Sequence, residues 1–376
     1  MKRLALSLLF VAACGDNAIA PTPESPDAAI PGTPDAMPGA TAVIVAGDFA
    51  STGVLSTIKM PSLAVTPNAV AGVAGGDPFV RQYGDELFII NRSTGDNITI
   101  LGHDLALVQQ VGTGAGVNPQ DVAVDGRTLY VPGLGTAGVV VIDRDHPDQR
   151  ATIDLGALDP DGHPDCVSAF VAGPKLLVAC GVLDENFVAR GPTKIAIVDR
   201  ATKTMTGSFE LATANPIGFL VATPTTSMFG GDLLIATAPS FTDYTTGCLA
   251  RISLGATPAA HGCAVTNAAL DGLANHLEVS PDGASLWIAV THYDDTFQLT
   301  GALRAVNLAT AALGDSITPA AQIVTDVAAC PDGSTVIVDN TFGHAGVRVY
   351  KNGAELTTAA LDIGTTPNYG NNLTCF

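Results

Sequence analysis

The stretch His276-Leu277-Glu278-Val279-Ser280-Pro281-Asp282-Gly283-Ala284-Ser285-Leu286-Trp287-Ile288-Ala289-Val290 decides the architecture of this chain. A short apolar run meets Pro-Asp-Gly, and a second apolar run begins at once. Proline presets the first turn dihedral and glycine supplies the left-handed position that closes a three-residue loop, so the stretch predicts a tight antiparallel hairpin. A near copy runs from Asp326 to Val338 around Pro331-Asp332-Gly333. Self-similarity at a spacing of about fifty residues is the signature of a repeated supersecondary unit.

Reading outward gives a unit of four strands, A to D, in which the quoted stretch supplies A and B. A strands start near Asp77-Pro78, Asn118-Pro119, His163-Pro164, Asn215-Pro216, Asn275-His276 and Thr325-Asp326. B and C strands repeat as Leu87-Phe88-Ile89-Ile90 with Asn97-Ile98-Thr99-Ile100, and as Thr128-Leu129-Tyr130-Val131 with Gly138-Val139-Val140-Val141-Ile142-Asp143. The first such pair, Val43-Ile44-Val45-Ala46 and Gly53 to Ile58, has no A strand before it. Its counterpart lies at the far end, where Thr366-Pro367-Asn368 and Asn371 to Phe376 parallel the run from Val117 to Val124. The expected fold is therefore all-β, a seven-bladed β-propeller over residues 41–376, with the C-terminal strand pairing into the N-terminal blade. Such closure removes the free edges of an open sheet. Composition agrees, because 40 Gly, 24 Pro and 14% charged residues against 47% hydrophobic ones suit many short strands and turns.

The N-terminus reads differently. Met1-Lys2-Arg3 is a basic start, Leu4 to Ala13 is an apolar run too short to span a bilayer, and Cys14 follows. Val11-Ala12-Ala13-Cys14 resembles a bacterial lipobox, so residues 1–13 are expected to be a lipoprotein signal peptide and Cys14 the lipidated residue. Residues 14–40 hold six prolines among Ala, Thr, Ser and acidic residues. That composition favours extended polyproline II, a tether that reaches roughly 80 Å at about 3.1 Å per residue. The expected location is the cell envelope, held to the membrane by the lipid anchor. Gly15, where an inner-membrane retention signal has aspartate, points to the outer membrane. A net charge of −19 repels phosphate backbones, so nucleic acid is not an expected partner.

Six further cysteines in an exported chain favour disulfides. Cys166 and Cys180 lie equally far from Gly173 in an A-to-B hairpin, and Cys248 and Cys263 flank the Gly255-Ala256 turn. Cys330 and Cys375 fall on the A strands of the last blade and of the closing strand, which a ring makes neighbours.

Val279-Ser280-Pro281-Asp282-Gly283 with Leu286 to Val290, Cys330-Pro331-Asp332-Gly333 with Val336 to Val338, and Leu129-Tyr130-Val131-Pro132 together resemble the YVTN-type and lactonase-like seven-bladed β-propellers. The resemblance spans about Thr41 to Phe376 and implies the fold. In lactonase-like relatives a polar cluster at the channel mouth carries function. Here the second strand runs into Thr291-His292-Tyr293-Asp294-Asp295, where those relatives often have Asn-Glu.

In a four-stranded blade the D-to-A and B-to-C connections share one face around the channel. That face gathers Asn118, Asp121, His163, Asp165, Asn275, His276 and Asp326 from strand starts. From B-to-C loops it takes His292, Asp294 and His344, with Asp243, Tyr244 and Asp295 beside them. Carboxylates, amides and imidazoles converging in a concave site can hold a divalent cation such as Ca2+, for which Asn118, Asn275, His276 and Asp326 are the candidate ligands. The same residue types at strand starts also cap turns. H-E-x-x-H, G-x-S-x-G and D-x-D-x-D-G do not occur, and no catalytic residue is assigned. The expected function is a non-enzymatic binding module acting through its channel-mouth face on a protein, glycan or small ligand. The alternative is a cation-dependent lactonase-like hydrolase.

Overall fold

The computed structural model describes residues 39–240, 245–294, 296 and 298–376. The leader, Cys14, the tether up to Pro38, and Asp243, Tyr244 and Asp295 lie outside the described residues. The described chain forms seven four-stranded antiparallel sheets. Blades 2 to 7 each take strands A to D in order, with A strands Pro78–Tyr83, Ala123–Asp125, Cys166–Ala172, Pro216–Ala222, Leu273–Val279 and Val324–Ala329. Blade 1 has the order Leu373–Cys375, Thr41–Gly47, Gly53–Lys59, Ala64–Thr66, so its A strand comes from the C-terminus.

Side chains of a strand alternate between its two faces, and each B strand uses both. Ile44 and Ala46 pack with Val336 and Val338 of blade 7, whereas Val43 and Val45 pack with Val80, Leu87 and Ile89 of blade 2. Apolar clusters of the same kind join blades 2 and 3, 3 and 4, 4 and 5, 5 and 6, and 6 and 7. The sequence of clusters returns to its start, which is what makes the molecule a ring. Strands covered on both faces read as continuous apolar runs, as Leu87 to Ile90 does.

The Pro-Asp-Gly turns form as expected. Gly283 and Gly333 have φ of +67° and +82°, a left-handed conformation that favours glycine. The Gly333 amide donates to the Cys330 carbonyl at 2.9 Å and the Ser334 amide to Asp332 Oδ1 at 3.0 Å. Closure also forms as expected. Ala42, Val43 and Ile44 pair with Cys375, Thr374 and Leu373, and Thr41 and Phe376 exchange backbone hydrogen bonds at 2.7 and 3.1 Å. All three expected disulfides, Cys166–Cys180, Cys248–Cys263 and Cys330–Cys375, are present.

Three strand starts differ from expectation: strand A of blade 3 begins at Ala123, with only an isolated bridge from Pro119 to Gly133 before it, and that of blade 4 begins at Cys166, after His163-Pro164. Strand A of blade 6 begins at Leu273, two residues before Asn275, because a bulge at Asn275 lets Leu273 and Ala274 continue pairing with Thr291 and Val290.

The Cys330–Cys375 bridge ties blade 7 to the strand that closes blade 1. Cys330→Ser with Cys375→Ser should lower unfolding stability by about 3 to 4 kcal/mol on chain-entropy grounds. Urea titrations of oxidised wild type and variant measure the difference, and equal midpoints would contradict a closing role.

Candidate functional site

The A strands line the channel, and two buried aspartates tie them to one another. Asp326 of blade 7 accepts its own Val327 amide at 2.8 Å and, through Oδ2, the Asn372 amide of blade 1 at 2.5 Å. Asp121 of blade 3 accepts the Val122 amide at 2.7 Å, then the Ser168 hydroxyl at 2.6 Å and the Ala169 amide at 3.2 Å from blade 4. Ser168 Oγ accepts the Leu220 amide of blade 5 at 2.8 Å. Blade 2 joins from both sides: Arg81 forks onto Asp121 at 2.8 and 2.9 Å, and Asn372 Nδ2 donates to the Pro78 carbonyl at 2.7 Å. His276 of blade 6 joins the belt, with Nδ1 3.0 Å from Asn371 Oδ1 and 3.3 Å from Asp326 Oδ1.

Buried charges survive only when paired. Burial opposes a charge on His276, yet Asp326 and Glu278 outweigh it and hold its pKa above the ordinary imidazole value. Burial lifts the Asp326 carboxyl above its usual range against the pull of His276. The folded pair therefore keeps its protons more tightly than the unfolded chain does. Burial also works against Arg81, but Asp121 overrides it and raises the guanidinium pKa.

The D-to-A end of the channel is filled by the chain itself. The segment that leads into the closing strand lays Asn371 across the axis: its carbonyl accepts the Val80 amide of blade 2 at 2.8 Å, and its side chain reaches His276. A Cβ added at Gly218 of blade 5 would lie 3.3 Å from Asn371 Nδ2, and one at Gly370 would lie 2.8 Å from the Asn275 carbonyl. Asn368 Oδ1 accepts the Gly47 amide at 2.9 Å, and the Asn372 carbonyl accepts the Val45 amide at 2.9 Å.

The sequence candidates separate accordingly. Asp121, His276 and Asp326 meet in the belt. Asn118, with φ of +49°, accepts the Ser93 amide at 2.8 Å and Gln120 Nε2 at 2.9 Å, joining blades 2 and 3. Asn275 donates to Thr291 Oγ1 at 2.6 Å within its own blade. Of the four candidate metal ligands, His276 and Asp326 are adjacent while Asn118 and Asn275 are engaged elsewhere, and among the described residues no group of three or more His, Cys, Asp or Glu side chains is placed to hold a metal ion. Asp165 accepts the Leu183 amide at 2.7 Å, and burial raises its pKa to about 6, aided by Asp159 and Asp161. His292 engages the Asp271 carbonyl at 2.6 Å and Thr300 Oγ1 at 3.1 Å. His163 and His344 are exposed.

Asp294 belongs to a loop geometry that recurs. In B-to-C loops of blades 1, 4 and 6, the amides of Asp48, Asp184 and Asp294 donate to the carbonyl four residues on, at 3.0, 2.8 and 2.9 Å. Their Oδ1 atoms accept amides two and four residues on, those of Ala50 and Thr52, Asn186 and Val188, and Thr296 and Gln298. In two of these loops the clamp exposes a phenylalanine in the left-handed region, Phe49 at φ +57° and 63% exposed, and Phe187 at φ +59° and 68% exposed. Val188, Tyr293, Phe342 (97% exposed) and Tyr369 are exposed on the same face. These exposed apolar side chains, from blades 1, 4, 6 and 7 and the segment before the closing strand, make up the crown of this face.

The other half of the channel is open. A cavity of about 610 Å3 runs from His276 down the A strands to Gly84 in the A-to-B turn of blade 2. Arg81, Gln82, Tyr83, Phe170, Phe219, Leu277, Glu278 and Thr374 contribute to its wall. The Arg81 guanidinium lies 3.9 Å over the Phe219 ring. Attention to strand starts missed Arg81 and Glu278; the available signal was a charge inside an otherwise apolar strand, in Phe79-Val80-Arg81 and Leu277-Glu278-Val279.

No protein-family model matches the chain, and no curated protein matches it. Solved structures do. A protein of Bacteroides uniformis described as a 6-phosphogluconolactonase superposes with TM-score 0.56 at 15% identity, over 90% of this chain and 100% of its own. A protein from Lactobacillus plantarum gives 0.57 at 14% identity, over 90% and 99%. AztD of Citrobacter koseri gives 0.52 at 10% identity, over 90% and 98%. The likeness is one of fold.

Because His276 and Asp326 both hold protons more tightly when folded, their contribution to stability falls as pH rises. For His276 it is complete below the ordinary value of 6.5 and is lost as pH rises through the raised one. Urea midpoints at about pH 6 and about pH 8 should show wild type losing stability across this window. His276→Gln with Asp326→Asn should flatten that change, and an undiminished slope in the double variant would assign it elsewhere.

Proposed function

We propose that this chain is an exported, lipid-anchored β-propeller that works as a non-enzymatic interaction module, docking a protein partner through the face that carries its B-to-C loops. The clamped phenylalanines carry the reading. Phe49 and Phe187 are held in backbone conformations costly for a bulky residue, and they gain no burial within the chain. Exposed aromatic anchors are the residue class that dominates protein interfaces once a partner covers them. Hydrogen bonds to Thr52, to the Val188 amide and to Thr296 hold the Asp48, Asp184 and Asp294 carboxyls below their ordinary range, so the loops stay anionic beside those anchors. Together with the net charge of −19, this favours a partner surface with basic and apolar groups. The lipobox at Cys14 and the proline-rich tether support display of the module at a membrane in the envelope.

Two experiments test the two halves of this proposal. Cys14→Ala should abolish incorporation of labelled palmitate and release the protein from the membrane fraction; a variant that still sediments with membranes contradicts the anchor. Phe187→Asp with Phe342→Asp should leave the melting temperature unchanged and reduce by about tenfold the proteins that wild type enriches from envelope extracts at low salt, a loss of one or two interface anchors. An identical set from both baits would overturn the docking face.

A further inference from the structure

Opposite the crown, the open half of the channel has its own charge balance. Arg81 commits Nε and Nη2 to Asp121, and Phe219 covers one face of its guanidinium. His276 is paired with Asp326 and Asn371. The Tyr83 hydroxyl donates to the Val122 carbonyl at 2.8 Å. Glu278 is different. Its side chain is 37% exposed, and its ion pair to His276 Nε2 is long, at 3.9 Å, to a ring whose Nδ1 is engaged by the belt. The cavity thus presents one carboxylate that its own wall pairs only at that long distance, beside apolar surface from Phe170, Leu277 and Leu373 and the acceptor-bearing side chains of Gln82 and Thr374.

We infer that this cavity is a second binding site, for a small organic cation, in which Glu278 pairs with a protonated amine and Phe170 and Leu277 cover its apolar body. The cavity's 610 Å3 matches the roughly 300 to 1,000 Å3 of small-molecule sites. An anion would meet Glu278 and find Arg81 already forked onto Asp121. A neutral ligand would leave the carboxylate partly desolvated with only that distant partner, which is costly.

Calorimetry with 2-phenylethylamine, 3-phenylpropanoate and 3-phenylpropan-1-ol as probes of one shape and three charges tests the site. The amine should bind with Kd on the order of 1 mM or tighter and the other two at least about tenfold more weakly. Glu278→Gln should weaken the amine by a similar factor and erase the charge preference, while Glu278→Lys should turn it toward 3-phenylpropanoate. Phe187→Asp, on the opposite face, should leave amine binding unchanged. Equal binding of the three probes, no binding of the amine, or a preference unaffected by Glu278→Lys in a protein of unchanged melting temperature would each overturn the proposal.

Discussion

Asp326 accepting the Asn372 amide is the interaction on which the arrangement at the axis depends. The apolar clusters between blades are non-directional, so they hold neighbours together without fixing how far one A strand slides along the next. A buried carboxylate is directional and must have partners, and breaking such a pair costs about 3 to 5 kcal/mol. Asp326 and Asp121 each take the amide of the next residue and reach into the next blade, and each has a cationic partner, the buried His276 or the half-buried Arg81. Ser168 and Asn372 extend these links to blades 5 and 2. The ring is thus registered from inside by hydrogen bonds and packed from outside by Val, Ile and Leu.

One consequence is that the two ends of the channel differ. Asn368 to Asn372 must cross the D-to-A end to bring Leu373 beside Ile44, and Gly218 and Gly370 leave the room that crossing needs. The filled end leaves its face to the loops, where Asp48, Asp184 and Asp294 shape similar turns in three blades. The open end keeps a cavity whose wall is made of mid-strand side chains, including the half-buried Glu278. A crown suited to a macromolecule and a cavity suited to a small molecule therefore coexist on opposite faces of one ring.

The repeat and two of the disulfides are legible because each rests on local chemistry, and the closing strand with the Cys330–Cys375 bridge is legible because the repeat leaves one strand unmatched at each end of the chain. Pro-Asp-Gly specifies its own turn, apolar runs specify doubly covered strands, and cysteines placed evenly about a turn specify a cross-strand bridge. The candidate site was legible only in part. The strand-start register puts His276, Asp326 and Asn371 on one channel-mouth face, but the direct contact of Asn371 with His276, 95 residues apart, depends on the path of the closing segment and has no local signal. Asn118 and Asn275 are ligand or turn-cap candidates by sequence alone, and in the structure Asn118 accepts the Ser93 amide while Asn275 donates to Thr291. The Asp-clamped loops escaped notice because Asp48-Phe49-Ala50-Ser51-Thr52 and Asp184-Glu185-Asn186-Phe187-Val188 share a geometry and little else.

Native-state amide hydrogen exchange, resolved to single residues, tests the sealed axis most directly. If the segment leading into the closing strand seals the channel, the amides of Asn372, Val45 and Val80 should exchange as slowly as those of the Leu87 to Ile90 strand, through global unfolding. Exchange of these three at the rate of the exposed loop around Phe342 would show an open axis, and the belt would then not be the element that registers the ring.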